Sequence, residues 1–277
     1  MPRPSIFASR LRDAFHPVAL LLANATLKFK VICEPPPAPL TDKPIIFAIN
    51  HSNSFDSLAS VKAISSAFHR RCYFLAGKQR LNFAGKLWFF LNGTIFVDRA
   101  DPVDMAAVKD TLTTYLQNGQ SIMWFPEGTW NMSDNLLMLP IKWGIIEVAA
   151  KAGAQIVPTI LDYNRETMTC SVHFGIPIAP DKSTDRSKAI RDLRDAMATL
   201  RWTAWEQYPF LKKDEIDREK LRQGVYVAVE EYPEANLEYE KTLIFQPYPT
   251  PEEVFAPIQR LEPRRENAFL WSKRIHD

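Results

Sequence analysis

Beyond the proline-rich run Glu34-Pro35-Pro36-Pro37, short apolar runs alternate with longer segments of helical period. The runs Ile45 to Ile49, Cys72 to Ala76, Thr94 to Val97, Ser121 to Phe125, Ile156 to Leu161 and Cys170 to Phe174 have the length and apolar character of buried strands. Between them, Ser54 to Phe68 sets Leu58, Val61, Ile64 and Phe68 near one helical face, with Ser54 offered as its cap. A second helix opens with Asp101 at the cap and Pro102 at its first position, and stops at Asn118-Gly119. A third runs from Trp143 to Ala152 before Gly153, and a fourth covers about Lys188 to Tyr208. Strand and helix in regular alternation predict an α/β fold, a mostly parallel central sheet flanked by helices.

The pattern differs at both ends. From Ile6 to Ile32, Phe7, Leu11, Phe15, Leu20, Leu21 and Leu22 are mixed with Arg3, Arg10, Arg12, Lys28 and Lys30 nearby, which suits an amphipathic helix in the plane of a membrane interface or packed on its own domain. From about Pro209 a charged segment leads into a tail rich in proline and aromatic residues, whose role the residues do not rank. The chain therefore divides into an N-terminal helical segment read as membrane-interface (1–36), a folded domain (37–210) and a C-terminal extension (211–277).

Composition narrows the class. With 46% hydrophobic and 24% charged residues the chain is that of a folded globular protein, and its net charge of +2 is too small for a bulk polyelectrolyte. Residues 1 to 100 nevertheless carry thirteen Lys or Arg against five Asp or Glu, a surplus that suits an anionic surface. The basic residues are not interleaved with aromatics in a nucleic-acid-binding module. Cys33, Cys72 and Cys170 lie far apart, with no pairing that suggests a disulfide framework or a thiolate metal site. Pro17 to Ala23 is far short of a spanning helix and no small-residue cleavage site follows it, so neither a transmembrane span nor export is expected.

Three segments carry candidate chemistry. In Asn50-His51-Ser52-Asn53-Ser54-Phe55-Asp56 a histidine follows a buried strand, and a carboxylate five residues on stands in the first turn of a helix. Folded back, Asp56 accepts from one imidazole nitrogen and leaves the other to take a proton from a hydroxyl. An Asp in a first helical turn also serves simply to complement the helix dipole. Phe125-Pro126-Glu127-Gly128-Thr129 is a tight turn directly after a strand, where open α/β sheets bind ligands. Gly93 to Arg99 is a strand ending in a guanidinium suited to phosphate. No G-x-S-x-G elbow and no P-loop is present.

Taken in this order, the segments resemble the glycerolipid acyltransferase family that includes bacterial 1-acylglycerol-3-phosphate acyltransferases. His51 and Asp56 match its H-x-x-x-x-D motif, Gly93 to Arg99 its second block, Phe125 to Thr129 its F-P-E-G-T block, and Val157-Pro158 its fourth. Lys78 and Pro140-Ile141-Lys142-Trp143-Gly144 resemble basic positions of the family. The resemblance implies direct acyl transfer from acyl-CoA or acyl-carrier protein, without a covalent enzyme intermediate, cofactor or metal. It makes His51 the general base and Asp56 its orienter, and it places Glu127, Gly128, Thr129, Arg99 and Lys78 around a lysophospholipid acceptor, most simply 1-acylglycerol-3-phosphate, on the cytoplasmic side of a membrane to which the protein binds peripherally. Another lysophospholipid or an amine acceptor, and a catalytically silent lipid-binding scaffold, are the competing expectations. The family usually has a basic residue after the threonine, whereas Trp130-Asn131 stand here, and Trp130 either lines an apolar site or packs.

Overall fold

The structure, a computed structural model, describes residues 6–37, 39–40, 42–52, 55–77, 87, 89–128, 130–131, 137–164 and 167–206. In chain order the elements are α1 (Ile6–Thr26), β1 (Lys30–Cys33), β2 (Ile45–Ile49), α2 (Asp56–Phe68), β3 (Cys72–Gly77), β4 (Thr94–Val97), α3 (Pro102–Gln117), β5 (Ser121–Trp124), α4 (Gly144–Ala152), β6 (Gln155–Asn164), β7 (Thr169–Phe174) and α5 (Arg186–Glu206). Ser54, Lys78, Thr129 and the tail from residue 207 lie outside the described residues.

Seven strands form one sheet in the order β1-β7-β6-β2-β5-β3-β4. Every neighbouring pair is parallel except β6 and β7, which join as a hairpin. The expected largely parallel sheet is present, with one strand more than the apolar runs suggested. Lys30–Cys33, read from the sequence as part of the N-terminal helical segment, forms the edge strand beside β7. Only alternate residues of that short strand are shielded, so it lacks the unbroken apolar run that marks the central strands.

Each central strand is buried on both faces, and alternate residues enter two separate cores. Ile46, Ala48, Ile122, Trp124, Ile156 and Ile160 join α3, α4 and α5 on one side. Ile45, Phe47, Ile49, Met123, Val157 and Leu161 join α2 on the other. The caps follow local chemistry: Asp101 accepts from the Val103 amide at 2.9 Å to start α3, and Gly153 at φ 66° ends α4. At the start of α2, Phe55 occupies the cap position without a side-chain hydrogen bond, and Asp56 is the first helical residue.

This layering opens the site. β2 and β5 are adjacent and parallel, yet β2 leads to α2 on one face and β5 leads to α4 on the opposite face. Loops that leave neighbouring strands in opposite directions create a crevice at the carboxyl edge of the sheet. The His51 loop and the Glu127 turn both begin there.

Candidate active site

The sheet delivers His51 with little freedom. Asn50, fully buried, continues the β2–β6 pairing with its side chain: its Oδ1 accepts from the Leu161 amide at 2.7 Å, and its Nδ2 donates to the Leu161 carbonyl at 3.1 Å. A side-chain amide thus does what a backbone peptide would do in a longer strand, leaving the chain free to turn at the next residue. Both backbone groups of His51 are held. Its amide donates to Glu127 Oε1 at 3.0 Å, and its carbonyl accepts from the Asn131 amide at 2.6 Å.

The imidazole is fixed as firmly. Nδ1 lies 2.8 Å from Asp56 Oδ2, an oxygen that also accepts the Ser52 amide at 2.6 Å. Asp56 is fully buried, while the His51 side chain keeps 22% of its surface exposed. The carboxylate accepts, so the proton belongs on Nδ1, and Nε2 carries the lone pair. Phe125 stacks on the ring at 4.4 Å between centroids, and Trp130 meets it edge-on at 5.6 Å. Trp130 itself is buried, 7% exposed, so it both packs and walls the imidazole. The spacing that the sequence offered is realised as an imidazole held through Nδ1 by a buried carboxylate, with part of its side chain open to solvent.

Glu127 is only 2% exposed. Oε1 takes the His51 amide and Oε2 takes the Leu139 amide at 2.8 Å. Burial raises its carboxyl to about 7, against the lowering effect of these two amides and of Arg201. Next to it, Gly128 stands at φ 74°, where a side chain is strained. Arg99 Nη1 donates to the Gly128 carbonyl, and its guanidinium lies over Gly77 at the end of β3, 3.9 Å from where a Cβ would be. The exposed Lys142 side chain also approaches this turn, 3.6 Å from the position of a Gly128 Cβ. Its backbone amide donates to the Pro126 carbonyl at 2.8 Å. The turn after β5 is therefore touched by the side chains of two cationic residues.

Of the residues named from sequence, the structure gathers His51, Asp56, Glu127, Gly128 and Arg99 at one edge of the sheet, and Thr129 and Lys78 fall outside the described residues. Sequence reasoning gave no role to Asn50, Asn131, Leu139 and Arg201. Asn50 left a trace, a polar residue closing an otherwise apolar strand run, while the others lie too far along the chain for any spacing to link them to His51.

A family model described as acyltransferase matches residues 31–162. A 1-acyl-sn-glycerol-3-phosphate acyltransferase of Saccharomyces cerevisiae is 32% identical over 171 residues, covering 60% of this chain and 51% of the relative. One of Chlamydomonas reinhardtii is 29% identical over 168 residues, covering 55% of this chain and 46% of the relative. The chain spans about half the length of the curated relatives it matches. In fold it is similar to the crystal structure of the 1-acyl-sn-glycerophosphate acyltransferase PlsC from Thermotoga maritima, with a TM-score of 0.50 and 18% identity over 74% of this chain and 81% of that one. The family match spans β1 through most of β6, and so the Asn50 to Asp56 loop and the Glu127 turn; on that ground residues 31–162 are an acyltransferase-family segment.

Proposed function

We propose that the protein transfers a fatty acyl group from acyl-CoA or acyl-carrier protein to the hydroxyl of a lysophospholipid, most simply 1-acylglycerol-3-phosphate, giving phosphatidic acid. The observation that carries this reading is the His51–Asp56 pair at the carboxyl edge of the sheet, Nδ1 lying 2.8 Å from the buried carboxylate while the imidazole side chain stays 22% exposed, which leaves Nε2 as the nitrogen for the substrate. Nε2 takes the acceptor's hydroxyl proton as its oxygen attacks the thioester carbonyl. Asp56 stabilises the imidazolium that forms, and the proton then passes to the departing thiolate. Atoms balance without an acyl-enzyme: the C–S bond breaks, the C–O bond forms, and the thiol leaves protonated. The relatives whose names specify this acceptor support the choice.

Arg99, Gly128, Thr129 and Lys78 are assigned to the acceptor's head group. Glu127, whose two oxygens are committed to backbone amides, shapes the pocket through the loops it joins. Trp130 against the imidazole favours a second reading, a lysophospholipid other than 1-acylglycerol-3-phosphate, because an aromatic wall supplies no charge for a phosphate monoester. An acceptor panel of lysophosphatidic acid, other lysophospholipids and an amine, each with a long-chain acyl-CoA and analysed by mass spectrometry, separates these. Acylation of lysophosphatidic acid above the rest supports the first reading. A preference for another lysophospholipid supports the second, and no acylated product from any acceptor, with either donor, contradicts both.

The domain is assigned to residues 37–210, preceded by a membrane-interface segment and followed by an extension. No helix among the described residues is long and apolar enough to cross a membrane. The N-terminal α1 is tied to the domain by Arg12, which donates to the Phe90 carbonyl at 2.8 Å and to the Tyr115 hydroxyl at 3.0 Å. It leaves Leu11, Val18 and Leu21 exposed along one side. That supports a peripheral seat at a membrane, with α1 lying in the interface; the cytoplasmic side is proposed with it. Replacing Leu11, Val18 and Leu21 together by glutamate is expected to abolish co-sedimentation with anionic liposomes; undiminished binding contradicts the assignment.

A further inference from the structure

Leu137 and Met138 bury their side chains on the α3–α4–α5 side of the sheet and Leu139 is buried next to them, and a backbone strap so deep must find partners for its polar groups. The Leu139 amide finds Glu127 Oε2. The two preceding carbonyls are met from α5: Arg201 Nη1 donates to the Leu137 carbonyl at 2.6 Å, and Arg194 Nη2 donates to the Met138 carbonyl at 3.3 Å. Seven residues apart, the two arginines project from the same side of α5, two turns from each other. The helix itself is anchored in the core by Leu193, Met197 and Trp202, and Trp205 lies against the Arg201 guanidinium at 5.0 Å.

We propose that Arg201 and Arg194 are positioning residues for His51, holding the 137–139 strap, through the strap Glu127, and through Glu127 the backbone of His51. Each link is a hydrogen bond: arginine to strap carbonyl, strap amide to carboxylate, carboxylate to the His51 amide. The family match ends at residue 162, whereas α5 begins at Arg186, so the site is completed by a helix outside the matched segment.

Charge reinforces the geometry. The groups that face Glu127 are His51 and Arg201, both of which lower its carboxyl against burial. Asp162 and Asp56 act on Arg201 in turn, and Arg99 and Lys142 lie beside the neighbouring Gly128. A protonated Glu127 has one free acceptor oxygen for two amides, and so releases one end of the clamp. Removing the Arg201 cation moves that release to higher pH.

The kinetic part of this inference rests on the acyl-transfer reading, and the exchange part does not. In the full chain, amide hydrogen exchange followed by NMR is expected to quicken about tenfold at His51 and Leu139 in Arg201→Met, with Phe47 in the centre of the sheet unchanged. Arg201→Lys is expected to restore most of the protection. In turnover, Arg201→Met is expected to lower kcat about tenfold with KM little changed and to move the acid limb of the pH profile upward, a move that disappears when Glu127→Gln is added. Unchanged exchange at His51 and Leu139, or equal quickening at Phe47, overturns the proposal. If Arg201→Met does not fold, Arg194→Met decides: selective quickening at His51 and Leu139 supports it, and none overturns it. A wild-type chain that transfers no acyl group defeats the proposed reaction, while the exchange result still decides the positioning role.

Discussion

Replacing the Glu127 carboxylate by an amide is expected to remove a loss of stability that wild type suffers as pH rises, and to lower activity. Burial raises the Glu127 carboxyl from its ordinary 4.5 to about 7, so the folded state holds a proton that the unfolded chain has released. The sign follows from linkage. A group whose pKa is raised on folding contributes stability that is complete below the unfolded value and is lost as pH rises through the folded one. A rise from 4.5 to about 7, at about 1.4 kcal/mol per pH unit, amounts to a loss of about 3 kcal/mol between those limits. Glu127→Gln, neutral at every pH and with one carbonyl oxygen like the protonated acid, does not undergo that loss. Urea denaturation read by tryptophan fluorescence at about pH 5 and about pH 8.5 is therefore expected to show wild type losing roughly 3 kcal/mol relative to the variant. Turnover moves the other way, because the amide accepts from only one of the His51 and Leu139 amides and the clamp is half undone; a kcat about tenfold lower is expected above pH 7, with KM little changed. Parallel stability profiles for the two proteins would refute the reasoning.

Three further outcomes follow from the same geometry. Asp56→Asn keeps the shape but offers His51 the wrong partner for its tautomer, and kcat is expected to fall about a thousandfold or more with KM little changed, measured by steady-state acyl transfer. Asn50→Leu leaves the Leu161 amide and carbonyl without their buried partners, and urea denaturation is expected to register a loss of about 2–4 kcal/mol; unchanged stability contradicts the ladder role. Gly128→Ala meets only ordinary contact with Lys142, so its cost is that of the positive φ, about 1–2 kcal/mol, read as a melting temperature lowered by a few degrees.

The alternation of apolar runs and helical segments made most of the sheet and its flanking helices legible, because strands buried on both faces cannot look like anything but continuous apolar sequence. β2 and β4 have the bounds expected of them, while β6 and β7 extend beyond their apolar cores through residues such as Asn164 and Thr169, where hairpin pairing replaces burial as the stabilising term. β1 escaped notice because an edge strand needs only one apolar face. At the site, the five-residue spacing of His51 and Asp56 was readable because the contact is local. The clamp on His51 was not: Glu127 lies 76 residues away, and Arg201 acts through Leu137 at a separation of 64. Only the fold brings those groups together.

The central claim is that His51 Nε2 deprotonates the acceptor hydroxyl in an acyl transfer. It is tested most directly by mass-spectrometric detection of phosphatidic acid from purified wild-type and His51→Ala proteins, each incubated with detergent-dispersed lysophosphatidic acid and a long-chain acyl-CoA, with folding verified by circular dichroism. Product is expected from wild type and none above background from His51→Ala at the same melting temperature. Product formed at comparable rates by both proteins would contradict it.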